Sequence, residues 1–331
     1  MELSDKNQID KLLSKVSENQ QNNIDVNILD RQFSILNLPS QGHYYSDKTK
    51  SLLIRYLSAK EEIILSDALL MDSGHALNLV LQNLIVSDFD VDQLLAGDFH
   101  AISMFLRSNA YGNKVEINAS CSHCNHENNV KIMLDSFQMK EIKQLPDENN
   151  RVVCMLPYSK QSVSIRIPTF KDELIFNKLE DGKSSEKLYI LINSLGGETD
   201  KNYIRETFPN LPIRDVRYLK NFLEDSTPGV DTSFHHTCTN CDKSFKSSFN
   251  IGDGFLKLPY DYQEVVMNEV FLCHYYGKGI TKENAEKMPA FHRSWTIKRI
   301  QEELDKKQKA ESKAQKSSSS SASSRRGKSN R

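Results

Sequence analysis

Apolar positions along this chain recur with two different periods, and the switches between them outline its elements. Residues 51–57 read as a strand. Ser58-Ala59-Lys60-Glu61 then forms a capping box ahead of Ile63, Ile64, Leu65 and Leu69, which predicts a helix from Ser58. Gly74 interrupts that pattern, and residues 75–86 resume it with Leu77, Val80, Leu81 and Leu84 on one face. Three acids alternate over residues 87–95, but the glycine and glutamate that a calcium loop requires at its sixth and twelfth positions are missing. Asp90 is therefore expected to cap a short helix with Asp92 in its first turn. Asp98 is expected to cap another, carrying Ile102, Phe105 and Leu106 to Tyr111-Gly112.

The period then changes to two. Residues 114–119 alternate as a strand and run into Cys121-Ser122-His123-Cys124, and residues 129–134 are strand again. Residues 230–235 and 243–249 flank Cys238-Thr239-Asn240-Cys241 in the same way. Each C-x-x-C thus falls at the tip of a β-hairpin, as in the knuckles of a zinc ribbon. Asn125 and Asp242 follow the second cysteine of each pair, where glycine is common, and both tolerate the left-handed conformation.

The stretch between the pairs is too long for a loop. It reads as a small α+β unit: strands at 151–156 and 162–167, a helix capped by Thr169, a second helix over 188–195 ending at Gly196-Gly197, and a third after Pro212. The two ends of this insertion must lie close together if both knuckles hold one ion. Beyond Gly254 the chain is helical, with Val265, Val266, Val270, Phe271 and Tyr275 on one helix. After Met288-Pro289 comes a final helix with the stripe Phe291, Trp295, Ile297, Ile300 and Leu304. Along that stripe Trp295 is expected in the core, and the outer turns in contact with other proteins. Leu12, Leu13 and Val16 suit a short helix near residues 4–18 within a polar arm.

The expected organisation is α+β. It comprises a flexible arm (1–30), a mainly helical part (31–113), the first knuckle hairpin (114–135), the insertion (136–229), the second knuckle hairpin (230–254), C-terminal helices (255–310) and a disordered basic, serine-rich tail (311–331). A formal net charge of −1 hides an asymmetry: residues 306–331 hold nine Lys/Arg against one acid, so the remainder is acidic.

Four of the six cysteines, Cys121, Cys124, Cys238 and Cys241, are a complete tetrahedral thiolate set for structural zinc. Redox-active pairs sit at helix N-termini, where the dipole lowers the thiol pKa, and neither pair here has helical flanks. His123, His126, His235 and His236 are nearby but surplus to a four-sulfur set. Cys154 and Cys273 stand alone in apolar surroundings and read as small buried hydrophobes. No nucleophile elbow, phosphate-cradling glycine run or H-E-x-x-H is present, so the chain reads as no enzyme. No apolar run has the length of a membrane helix. The alternative to a protein-binding role is a zinc ribbon that binds nucleic acid through its basic tail. The acidic body and the few lysines near the knuckles (Lys114, Lys131, Lys243, Lys246) weigh against it.

Four stretches together resemble the baseplate proteins of T-even-like contractile-tailed bacteriophages, a family that includes hub subunits and a hub-assembly factor. They are Leu38-Pro39-Ser40 with Gly42 and the Ala59-Lys60-Glu61-Glu62 helix start; Asp90-Val91-Asp92 with Gly97-Asp98 and Tyr111-Gly112; the Cys121/Cys124 knuckle with Asn125, His126 and Glu127; and Phe271-Leu272-Cys273-His274-Tyr275 with Met288-Pro289. The resemblance implies a structural or assembly role in the virion tail, or in host cytoplasm during assembly. It also implies other baseplate and tail proteins as partners, self-association among the options, and no chemistry.

Overall fold

The computed structural model describes residues 33–179 and 184–326, so the helix expected near residues 4–18 lies outside the described residues. In chain order come β1 (Phe33–Asn37), β2 (Ser51–Arg55), α1 (Ala59–Ser66), α2 (Ala68–Ser73), α3 (His75–Leu84) and α4 (Ala96–Tyr111). The first knuckle hairpin is β3 (Lys114–Ser120) and β4 (Glu127–Met133). The insertion holds β5 (Arg151–Met155), β6 (Ser162–Arg166), α5 (Phe170–Lys178), α6 (Ser184–Leu191), β7 (Ile192–Leu195), α7 (Lys201–Thr207) and α8 (Ile213–Ser226). The second knuckle hairpin is β8 (Ser233–Thr237) and β9 (Ser244–Ser248). Helices α9 (Tyr262–Tyr276), α10 (Lys282–Lys287) and α11 (Ala290–Arg326) follow.

These elements form two compact units, one of residues up to Tyr56 with Leu69–Lys257, the other of Leu57–Ala68 with the chain from Leu258 onward. Residues 57–68, expected within the 31–113 segment, thus pack with the C-terminal helices.

In the first unit every strand pairing is antiparallel: β1 with β2, β3 with β4, β8 with β9, and β5-β6-β7 as a three-stranded sheet. The ends of the insertion do meet. Lys140 N–H donates to Gly229 O and Asp231 N–H to Gln138 O, each at 2.8 Å. A second stitch ties the insertion to the start of α4, through Phe170 N–H to Leu94 O (2.7 Å) and Ala96 N–H to Pro168 O (3.0 Å).

Two sequence expectations are corrected in this unit. Residues 188–195 are not one helix: α6 ends at Leu191, and the fully buried Ile192 and Leu195 belong to β7, paired with β6. A free strand edge outcompetes local helical spacing there. Asp98 is not a cap either. It lies inside the first turn of α4, fully buried, accepting from Ser40 N–H at 2.9 Å and Tyr45 Oη at 2.6 Å. Burial pushes its carboxyl up from the usual range, against the pull of these donors. Asp90 does cap its short turn, accepting from Asp92 N–H at 3.0 Å.

In the second unit, Glu61 accepts from Ser58 N–H and Oγ, closing the expected capping box at the start of α1. Ala59, Val266, Val270, Cys273, Ala285 and Ile297 form the core of the unit. Arg293 is fully buried beside them, paired with Glu62 and with Glu269, the latter at 2.8 Å. The core stripe of α11 is therefore Ala290, Arg293 and Ile297 rather than the aromatic one. Trp295, expected in the core, is 59% exposed because it falls two residues from Arg293 and Ile297, on another face of the helix. The segment read as disordered from residue 311 continues α11 to Arg326. No glycine or proline occurs between Pro289 and Gly327 to stop it.

Candidate metal centre

The two knuckles repeat one backbone pattern. In the first, Cys121 N–H donates to His126 O and Asn125 N–H to Cys121 O, both at 2.9 Å. In the second, Cys238 N–H donates to Lys243 O and Asp242 N–H to Cys238 O, both at 3.0 Å. Asn125 (φ 57°) and Asp242 (φ 56°) each take the left-handed conformation that closes the turn. His123 N–H points to Cys121 Sγ at 3.4 Å and Asn240 N–H to Cys238 Sγ at 3.5 Å. Such N–H donors stabilise thiolate over thiol.

Residues of both hairpins bury one core beneath the tips, including Ala119, Val130, Ile132, Phe245, Phe249 and Ile251. That shared core brings together four sulfurs from distant parts of the chain, all within 4.8 Å of one another. Cys121 Sγ lies 3.8 Å from Cys241 Sγ, and Cys124 Sγ lies 3.6 Å from Cys238 Sγ. A tetrahedral zinc with bonds of about 2.3 Å places its sulfurs about 3.8 Å apart, so the cage has the right size. The separations are well beyond the ~2.05 Å of a disulfide, and all four cysteines are free. The donor set therefore fits a metal ion.

Electrostatics agree with that fit. Burial pushes the Cys238 thiol up, but N–H donors from Asn240, Cys241 and Asn128 outweigh it and bring the group down to about 6. At Cys241 the Lys243 N–H pulls down, yet burial and the three neighbouring sulfurs raise the thiol to about 12. One thiolate forms readily, and a second anion beside it is opposed. A cation resolves this conflict.

Among the described residues the ligand cluster contains these four cysteines and no histidine. His123 Nε2 instead meets Ser244 O at 3.3 Å, and the His236 ring stands edge-on to Phe245 at 5.9 Å. Cys154 and Cys273 are buried elsewhere, as expected, and burial pushes the Cys154 thiol up to about 11.

One residue of the centre escaped the sequence reading. Asn128, 2% exposed, donates from Nδ2 to His126 O at 3.0 Å and toward Cys238 Sγ at 3.6 Å. Its Oδ1 accepts from Thr239 N–H and Oγ1. The signal for it was present: Asn128, Val130 and Ile132 occupy alternate, inward positions of β4, and a polar residue on the inward face demands a partner.

Among known proteins, residues 31–257 match a family model described as T4 bacteriophage base plate protein. No curated protein and no solved structure matches the chain. The match takes in both knuckles and the insertion and ends before α9, so the resembling stretch at residues 271–289 lies beyond it.

Proposed function

The chain belongs to the family of T4 bacteriophage base plate proteins, and on that premise we propose a non-enzymatic structural or assembly protein of the baseplate hub. It works by binding other tail proteins, in the virion tail or in host cytoplasm during assembly. Among the described residues no helix is long and apolar enough to cross a membrane.

The fold of the first unit is pinned, in this reading, by one zinc ion held by Cys121, Cys124, Cys238 and Cys241. The observation that carries the metal is the convergence of those four sulfurs within 4.8 Å. Bound zinc supplies the positive charge that lets all four thiols ionise together, and it crosslinks the two hairpins. Four protein ligands leave no coordination position for water or substrate, so the centre is structural. Its contribution is on the order of 10 kcal/mol, the scale found for zinc-finger peptides.

Exposed aromatics of the second unit support the partner half. Phe271 and Tyr275 stack at 5.3 Å on an exposed face of α9, and Trp295 is exposed on α11. Side chains of this kind anchor protein–protein interfaces.

Tagged full-length chain recovered from phage-infected cells is expected to bring down baseplate components; recovery of none would overturn the partner half. Elemental analysis of protein purified in reducing buffer is expected to find one zinc per chain, and its absence would overturn the metal half. Cys121→Ser and Cys238→Ser are expected to lose the zinc, whereas Cys154→Ala and Cys273→Ala keep it.

A further inference from the structure

We propose that a cavity of the first unit, between α4 and the insertion, is the docking site for a short acidic peptide segment of a partner protein with one large apolar anchor. The proposal rests on the protein-binding reading above for the kind of partner, and on the chemistry of the cavity for the peptide.

The cavity measures about 490 Å³, within the ~300–1,000 Å³ usual for ligand pockets. Five stretches separated in sequence build it: the start of α4, Lys140, α5 with Pro168 before it, α6, and the end of α8 with residues 227–230 that follow it. The packing behind it is tight. A Cβ on Gly97 would lie 1.8 Å from Pro228 O, so only glycine lets the first turn of α4 approach that backbone. One wall of the cavity is thus set by backbone contact.

Its lining is of three kinds. Phe176, Leu188 and Leu223 give an apolar floor. Lys140, Lys187 and Lys220 also line it, and none of the three joins an ion pair among the described residues. Lys187 Nζ stands 5.9 Å from the centre of the Phe176 ring, which places a positive charge beside the floor. The third kind is an unmet acceptor. Glu173 gives Oε1 to His100 Nε2 at 2.6 Å, while its Oε2 is buried with no hydrogen-bond partner among the described residues. That oxygen is closed to solvent, so Glu173 acts on the cavity through its charge.

These requirements select the occupant. Within the lining, Lys140, Lys187 and Lys220 stand against Glu173 and Glu224; Glu173 is engaged by His100, and Lys140 also acts electrostatically on Asp231 outside the lining. The excess is positive on a body that is otherwise acidic, which suits carboxylates in the ligand. The floor takes a Phe or Leu side chain. A nucleic acid would offer anions and a ring as well, but its many phosphates are repelled by the acidic surroundings.

The test is fluorescence anisotropy with full-length, zinc-replete protein. The probe is a labelled synthetic peptide with one Phe flanked by Asp and Glu. Saturable binding is expected, weakened about tenfold or more when Phe is replaced by Ala or when the flanks become Lys, each tenfold being 1.4 kcal/mol. Leu223→Arg, which fills the cavity, and the combined K140E, K187E and K220E variant are both expected to abolish it. Lys220 is exposed and Lys140 and Lys187 are only half-buried, so the triple variant keeps the test valid if Leu223→Arg fails to fold. Absent binding overturns the proposal, as does equal affinity for the Lys-flanked peptide, indifference to the triple variant, or displacement by inorganic phosphate or an oligonucleotide. Peptide binding without any recovery of baseplate components would sink the proposed function and leave the site. Recovery of those components by the parent chain, with no peptide binding to it, would do the reverse.

Discussion

Asn128 joins the two cysteine-bearing hairpins directly: its Oδ1 accepts from Thr239 N–H at 2.8 Å and from Thr239 Oγ1 at 3.0 Å. The same amide holds His126 O in its own hairpin, so one buried side chain spans both halves of the four-cysteine cluster. Asn128→Ala leaves all four sulfurs in place but removes the acceptor of the Thr239 N–H. Thr239 is exposed, so water can replace it, and the expected cost is about 0.5–1.5 kcal/mol, the net worth of a typical hydrogen bond. Zinc should remain bound at one per chain yet pass faster to a colorimetric chelator. An unchanged transfer rate would show that the sulfurs and shared core suffice.

The pair of Arg166 and Asp172 predicts a pH dependence. Asp172 accepts from both terminal nitrogens of Arg166, one at 2.7 Å, and from Thr169 N–H at 2.8 Å as the box at the start of α5. Burial raises its carboxyl, but these donors outweigh burial and hold it below the ordinary carboxylate value. A depressed folded-state pKa means stability present above the unfolded value near 3.9 and lost as pH falls through the folded one. Denaturant titrations of the parent and Asp172→Asn should therefore differ at neutral pH and converge below about pH 4.

Arg293 supplies the second unit with a buried cation between Glu62 and Glu269. Arg293→Met keeps the volume and removes the cation beside Glu62, which is 0% exposed. A loss of about 3–5 kcal/mol is expected in equilibrium unfolding. Adding Glu62→Leu should recover much of it, because the buried charge is then gone. A double variant as unstable as the single one would place the cost in packing instead.

Gly97→Ala tests the close approach that frames the proposed peptide site. The new methyl would overlap Pro228 O, so one backbone must retreat, at about 1–3 kcal/mol for an overpacked position. Thermal melts read the loss of stability, and zinc content should stay at one per chain because Gly97 is remote in sequence and role from the knuckles.

Much of the candidate site was legible before folding. The C-x-x-C spacing, the alternating flanks and the left-handed residues after each pair depend only on near neighbours, and the structure repeats them in both hairpins. The capping boxes at Ser58 and Thr169 are local for the same reason. Polar residues were read less well. Asp98 looked like a cap because it follows a glycine ahead of an apolar run, yet Ser40 and Tyr45, far back in the chain, are what it serves. Trp295 is expected in the core from its place on the apolar stripe, and Arg293 takes that place because Glu62 and Glu269 neutralise it.

The amino-acid sequence by itself determined the two knuckles, most helix starts and the thiolate chemistry of the metal set, since each follows from contacts spanning a few residues. Only the tertiary structure decided that Cys121 and Cys241 lie 3.8 Å apart, that Asn128 bridges the hairpins, and that residues 57–68 pack with the C-terminal helices. Periodicity tells which face of an element turns inward. It does not tell which distant element that face meets, and a buried polar group is satisfied only by the particular partner that long-range packing brings to it.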